Sequence, residues 1–264
     1  MDFDVNNLFN IDYFLLIRSG FFPFVRILSL IMVAPITGES EVPSRVRIGL
    51  ALLITLLLPL PSLDSNITIF SFVGIWIILQ QIIIGIMIGL TMQFAFGAMR
   101  FSGELIGMQM GLGMATFYDP IGGPSTSVLS RLINIVSLLI FLSLDGHLWL
   151  LYGLSCSFDI IPVSIMPLKD NGYLALIDAS ALIFVNGIIL ALPLMTLLLI
   201  VNLSLGLLNR ITPQLSIFVV GYPLTLLLGL TMLTYLISSL PTFDEYIFEQ
   251  MFAKISSILW YLVD

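Results

Sequence analysis

The sequence predicts an all-α membrane protein of long kinked helices and helical hairpins. Charge-free stretches predict the helices. No charged side chain stands between Asp64 and Arg100, between Asp178 and Arg210, or between Arg210 and Asp244, gaps of 35, 31 and 33 residues. A helix crosses about 30 Å of hydrocarbon with about 20 mostly apolar residues, so each gap exceeds one span. A water-soluble fold could not carry all three without large exposed apolar patches. At about 1.5 Å per residue such helices reach roughly 50 Å. They must therefore tilt, kink, fold back, or leave the lipid for contact with other protein.

Composition agrees. Hydrophobic residues make up 59% of the chain and charged residues 9%, against about 25% charged in an ordinary soluble domain. Little polar surface remains for a separate soluble domain, so residues 1–264 are expected to form one membrane-embedded unit. The net charge of −7 comes without a clustered basic face, which argues against nucleic acid as a partner. Cys156 is the only cysteine, excluding an intrachain disulfide and a thiolate metal cluster. Met1-Asp2-Phe3-Asp4 lacks the basic start of a secretory leader, so no cleavage is expected.

The first helix is expected from about Ile11 to Ile36, with Pro23 kinking it and Pro35 ending it. A polar connection, 37–47, precedes a second apolar stretch, Ile48 to Leu60, which stops at Pro59 and Pro61. The third begins near Ile67. Within it Gly85 and Gly89 are four apart, as are Gly103, Gly107 and Gly111. Glycines at this spacing let a second backbone approach closely. That backbone could belong to the same chain or to a neighbouring subunit. Phe117-Tyr118-Asp119-Pro120 ends helical order.

A further apolar stretch, Val128 to Ile161, is interrupted at Asp145-Gly146-His147. Ala179–Asn209 and Gln214–Leu240 then read as helices joined by Arg210-Ile211-Thr212-Pro213, an antiparallel hairpin kinked at Pro193 and Pro223. The tail from Thr242, carrying Asp244, Glu245, Glu249 and Lys254, reads as an amphipathic interfacial helix. The positive-inside rule places Arg45, Arg47 and Arg210 in cytoplasmic loops.

Signals of catalysis are thin, and no enzyme is expected. His147 is the only histidine, so a multi-histidine metal site is excluded. Asp145 and His147 read as a polar pair at a helix end or, less simply, as a proton relay. No phosphate loop or nucleophile elbow occurs, and no cofactor or metal is implied. Arg100 and Glu104, four apart, can neutralise each other on one helix face. Arg26 and Arg131 would need partners that the sequence does not name.

The most unusual segment is Gly103–Asp119, GELIGMQMGLGMATFYD. Glycine brings backbone freedom and methionine an adaptable apolar side chain. Together at membrane depth they suggest a compliant plug, or alternatively a crowded helix–helix contact.

This segment also carries a resemblance. GMQMGLGMATFYDP (107–120), DGHLWLL (145–151), LGLLNRITPQLSIFVVGYPLTL (205–226) and VAPITGESEVPSRVRIGLAL (33–52) together look like the FliR family of flagellar type III export-gate subunits. The likeness covers essentially the whole chain in order. It implies a subunit of the inner (cytoplasmic) membrane at the flagellar basal body. Its partners would be FliP and FliQ homologues and a nearby FlhB homologue, with membrane lipid around it and unfolded flagellar proteins passing through the channel.

By the same resemblance, residues 1–172 would pack like FliP and residues 173–264 like a FliQ hairpin with the tail. The loop at about 106–123 would hang into the pore and seal it. Gly107, Met108, Gln109, Met110, Gly111, Gly113, Met114, Phe117 and Tyr118 are its candidate residues. Gly85, Gly89, Arg100, Gly103, Glu104, Pro193, Arg210, Pro213 and Pro223 are candidates for packing, and Asp145 and His147 for a polar interface. The chain has Met114 where relatives often carry phenylalanine, and Asp145 where asparagine is expected. An injectisome subunit shares the architecture and is the first alternative. A stand-alone secondary transporter would need an internal repeat and a midplane polar site, and the sequence offers neither.

Overall fold

A computed structural model describes residues 13–38, 42–58, 71–112, 127–165, 167–211 and 217–263. Among these residues the ordered elements are all α-helices: α1 (Tyr13–Val33), α2 (Ser44–Leu57), α3 (Phe72–Gln109), α4 (Val128–Ser143), α5 (Gly146–Ile160), α6 (Asp170–Ile211) and α7 (Ile217–Tyr261).

Helix ends follow local chemistry. Pro23 lies inside α1, whereas the helix stops at Val33, two residues short of Pro35. The Thr37 hydroxyl donates to the Ile31 carbonyl at 2.7 Å, satisfying an acceptor of the last turn. Ser71 opens α3, its Oγ accepting from the Gly74 N–H at 3.0 Å. Ser127 opens α4 in the same way, accepting from the Ser130 N–H at 3.1 Å. The expected break at Asp145 is present. Its φ of 55° is a left-handed geometry that Asp tolerates, and α4 and α5 are bent by 67° across it.

Three helices among the described residues are long and apolar enough to cross a membrane, and the bent α4–α5 pair offers a fourth span. The chain is read accordingly as a membrane protein. α6 has 42 residues and α7 has 45; at about 1.5 Å per residue both exceed 60 Å, roughly twice the hydrocarbon thickness. The expected boundary near Leu240 is absent: α7 runs through Pro241 to Tyr261 as one helix.

The contacts form two compact units. Unit 1 comprises Met1–Gln93, Leu148–Ile177 and Phe252–Asp264. Its core gathers Phe22, Ile77 and Val163, with Phe21, Ile78 and Phe158 packed against them. At its centre is Arg26, wholly buried. Nε donates to Gln81 Oε1 at 2.7 Å, Nη1 to the Ser157 carbonyl at 2.8 Å and Oγ at 3.0 Å, and Nη2 to the Ile161 carbonyl at 2.8 Å. The guanidinium carbon stands 4.2 Å from the Phe158 ring centroid. One side chain thereby ties α1 to α3 and to the C-terminal carbonyls of α5. The acceptors are neutral groups of the same chain.

Unit 2 comprises Phe94–His147 and Asp178–Met251. Phe96, Phe141 and Phe248 form its aromatic centre, with ring centroids 5.1–5.6 Å apart. Asn186 Nδ2 donates to Gln250 Oε1 at 3.0 Å, joining α6 to α7. An apolar pocket of about 590 Å³ lies between these helices at the Pro193 level, lined among others by Leu194, Met232 and Leu236.

Candidate gate segment and family

Helix α3 delivers the glycine- and methionine-rich segment, and its final turn is built to stop. Gly111 N–H donates to the Met108 carbonyl at 3.1 Å, and Leu112 N–H donates to the Gly107 carbonyl at 2.9 Å. Gly111 has φ +80°. This pair of bonds closing over a left-handed glycine is a Schellman motif, which satisfies carbonyls that the helix end would leave unpaired. A Cβ at Gly111 would also lie 2.8 Å from Tyr222 Cε2. Gly111 is thus a fixed turn in the described structure.

The two methionines of this turn face opposite ways. Met110 is 1% exposed, and its Cε would be 2.6 Å from a Cβ placed on Gly229, so the absent side chain makes its seat in α7. Met108 is 61% exposed. Gln109 is half-buried. Gly113, Met114, Phe117 and Tyr118 lie outside the described residues, as does Pro213.

The glycine ladder of α3 packs within the chain. A Cβ on Gly85 would meet Ser29 Oγ and the Arg26 carbonyl of α1, and one on Gly89 would stand 3.1 Å from Val33 Cβ. One on Gly103 would stand 2.8 Å from the Ser130 backbone nitrogen, and one on Gly107 3.1 Å from Ser127 Oγ. Serines complete the α3–α4 seam: Ser130 Oγ donates to the Arg100 carbonyl at 2.8 Å, and Ser127 Oγ reaches the Gly103 carbonyl at 3.4 Å. Of the two readings open for these four glycines, the intrachain one describes the contacts seen. In hydrocarbon such approach drives helix association, because lipid tails are as apolar as leucine.

Arg100 and Glu104 are both half-buried, one turn apart on α3. Pro193 and Pro223 lie inside α6 and α7, and Arg210 is exposed in the last turn of α6. Asp145 is exposed, while His147 Nδ1 is buried and has no hydrogen-bond partner. No bond from Nδ1 therefore links the pair.

Two buried charges were not legible as such. The sequence names no partner for Arg26, although Gln81 in the charge-free stretch is a signal. The amphipathic pattern of the tail puts Asp244 among its charged residues; the structure makes it 0% exposed. The signal for it lies elsewhere, in Asn134 and Ser137, three apart in the apolar run that follows Arg131 in α4.

Comparison with known proteins agrees with this architecture. Residues 17–251 match the family described as Bacterial export proteins, family 1. The chain is 52% identical over 244 residues to flagellar biosynthetic protein FliR of Pectobacterium carotovorum subsp. carotovorum, covering 92% of this chain and 93% of that one. It is 49% identical over 240 residues to FliR of Escherichia coli (strain K12), covering 90% and 92%. With FliR of Bacillus subtilis (strain 168) identity is 28% over 220 residues, covering 80% and 82%. The chain belongs to the FliR family of flagellar biosynthetic proteins, within the bacterial export proteins of family 1.

Proposed function

We propose that this protein is a non-enzymatic subunit of the flagellar type III export gate in the inner membrane at the basal body. It builds a channel for unfolded flagellar proteins with FliP and FliQ homologues, beside an FlhB homologue. Residues 1–172 take the FliP-like part, and residues 173–264 the FliQ-like part. The segment 106–123 carries the seal: Met110, buried against α7, anchors its base, and Met108, Met114 and Phe117 are the apolar closing groups, those beyond Gly111 making the closure itself.

The observation that carries this reading is the end of α3. A capped, glycine-packed helix stops at Gly111, Met110 anchors it, and the Gly/Met-rich sequence leaves from that fixed point. A rigid base with a compliant continuation is what a reversible seal requires. The lengths of α6 and α7, far beyond one hydrocarbon thickness, suit helices that face protein over much of their course. The flagellar names of the relatives favour the flagellar branch over the injectisome.

The test is co-purification of tagged protein in detergent from cells expressing its native operon. FliP and FliQ homologues are expected as stable companions in one large complex. A lone monomer or homodimer, with those proteins present in the cell, would contradict the assignment.

A further inference from the structure

Four oxygens in unit 2 are buried without a hydrogen-bond partner among the described residues: Asn134 Oδ1, Ser137 Oγ and both carboxyl oxygens of Asp244. Ser137 and Asp244 are each 0% exposed. The Ser137 hydroxyl is the polar side chain facing the Asp244 carboxyl, although the two do not meet hydrogen-bond geometry. Asn134 lies one turn earlier on the same face of α4.

The setting is closely packed. Phe141 follows Ser137 by one turn and Phe248 follows Asp244 by one turn; their rings meet edge to face at 5.1 Å. Phe96 of α3 closes against both. The polar level therefore sits beside an aromatic level that holds α4 and α7 together. Glu245 and Glu249, the neighbouring charges on α7, are exposed and negative.

Buried polar groups are ordinarily paired, and buried charges more strictly so. An ionised carboxylate only accepts hydrogen bonds, and an amide oxygen does the same, while the Ser137 hydroxyl has a single proton to donate, so the four oxygens can make at most one hydrogen bond among themselves. Oxygens gathered around a carboxylate are the ligand chemistry of hard cations. One carboxylate balances one positive charge. We propose that Asp244, Ser137 and Asn134 form a site for a small monovalent cation, sodium being the size to test first. An ion there bridges α4 to α7 and stabilises unit 2 when bound.

Thermal unfolding of the purified full chain in detergent tests this, in sodium, potassium and N-methylglucamine chlorides at equal ionic strength. The melting temperature is expected to rise saturably with sodium, by several degrees, over the bulky organic cation. Asp244→Asn, which keeps the shape and removes the charge, abolishes that rise; Ser137→Ala shifts its midpoint to higher sodium. Identical melting of the wild-type protein in all three salts would overturn the proposal, leaving a protonated carboxyl or a water in the pocket. A full sodium response in Asp244→Asn would overturn it too, since the ion would then act elsewhere.

Discussion

Arg26→Ala is expected to destabilise the fold by about 3 kcal/mol or more, because it leaves several buried acceptors unpaired. The substitution orphans Gln81 Oε1 and the Ile161 carbonyl and takes two donors from Ser157. Each unsatisfied buried group costs about 1–3 kcal/mol, and the vacated volume against Phe158 adds to this. Against a total stability of about 5–15 kcal/mol, that is enough to threaten folding. Arg26→Lys recovers little, because one ammonium cannot span acceptors on α3, on Ser157 of α5 and on Ile161 just beyond it. The check is denaturant unfolding of purified variants, with membrane yield as a second readout. A stable Arg26→Ala protein would show that the cage is incidental.

The second large effect is expected at Gly103. A valine there drives its Cβ into the Ser130 backbone, whose Cα and nitrogen already crowd the position. Backbone cannot rotate aside as a side chain can, so α4 must move away from α3. The Ser130–Arg100 and Ser127–Gly103 bonds then lengthen or break. Overpacking of this kind costs about 1–3 kcal/mol or more, and it displaces the turn from which the gate segment departs. Gly153→Ala supplies the control. That glycine lies within α5 with nothing within 4 Å of a new Cβ, so the change should stabilise by about 0.5–1 kcal/mol. Equal losses at the two positions would mean that glycine at 103 serves no close approach.

Much of the architecture was readable because hydrocarbon imposes a simple rule. Charge-free runs longer than about 20 residues have few alternatives to helix, and α3, α6 and α7 fall where those runs are. Asp145-Gly146 marked the α4–α5 bend for an equally local reason. The break expected between Leu240 and Thr242 does not occur, because a proline in a long helix can be accommodated by neighbouring packing, and α7 continues past Pro241. Asp244 departs from its expected place for a different reason. Acidic residues in a tail ordinarily face water, and only the tertiary contact with α4 turns this one inward.

Pairings such as Arg26 with Gln81 and Ser157 span 55 and 131 residues, and no local pattern encodes them. At the candidate site, the sequence located the Gly/Met segment and the small-residue faces. It did not separate the roles of adjacent residues. Gly111 is a helix stop by virtue of its positive φ, and Met110 and Met108 differ in exposure only because α7 meets one face of the turn.

The central claim is that the segment beyond Gly111 seals an export channel. Its most direct test is the ion conductance of reconstituted export-gate complexes lacking residues 113–118, with Met110 and Gly111 retained to keep the helix end intact. A steady leak absent from the parent complex, with subunit composition unchanged, is the predicted result. Conductance equal to that of the intact complex would contradict the account and place the seal elsewhere.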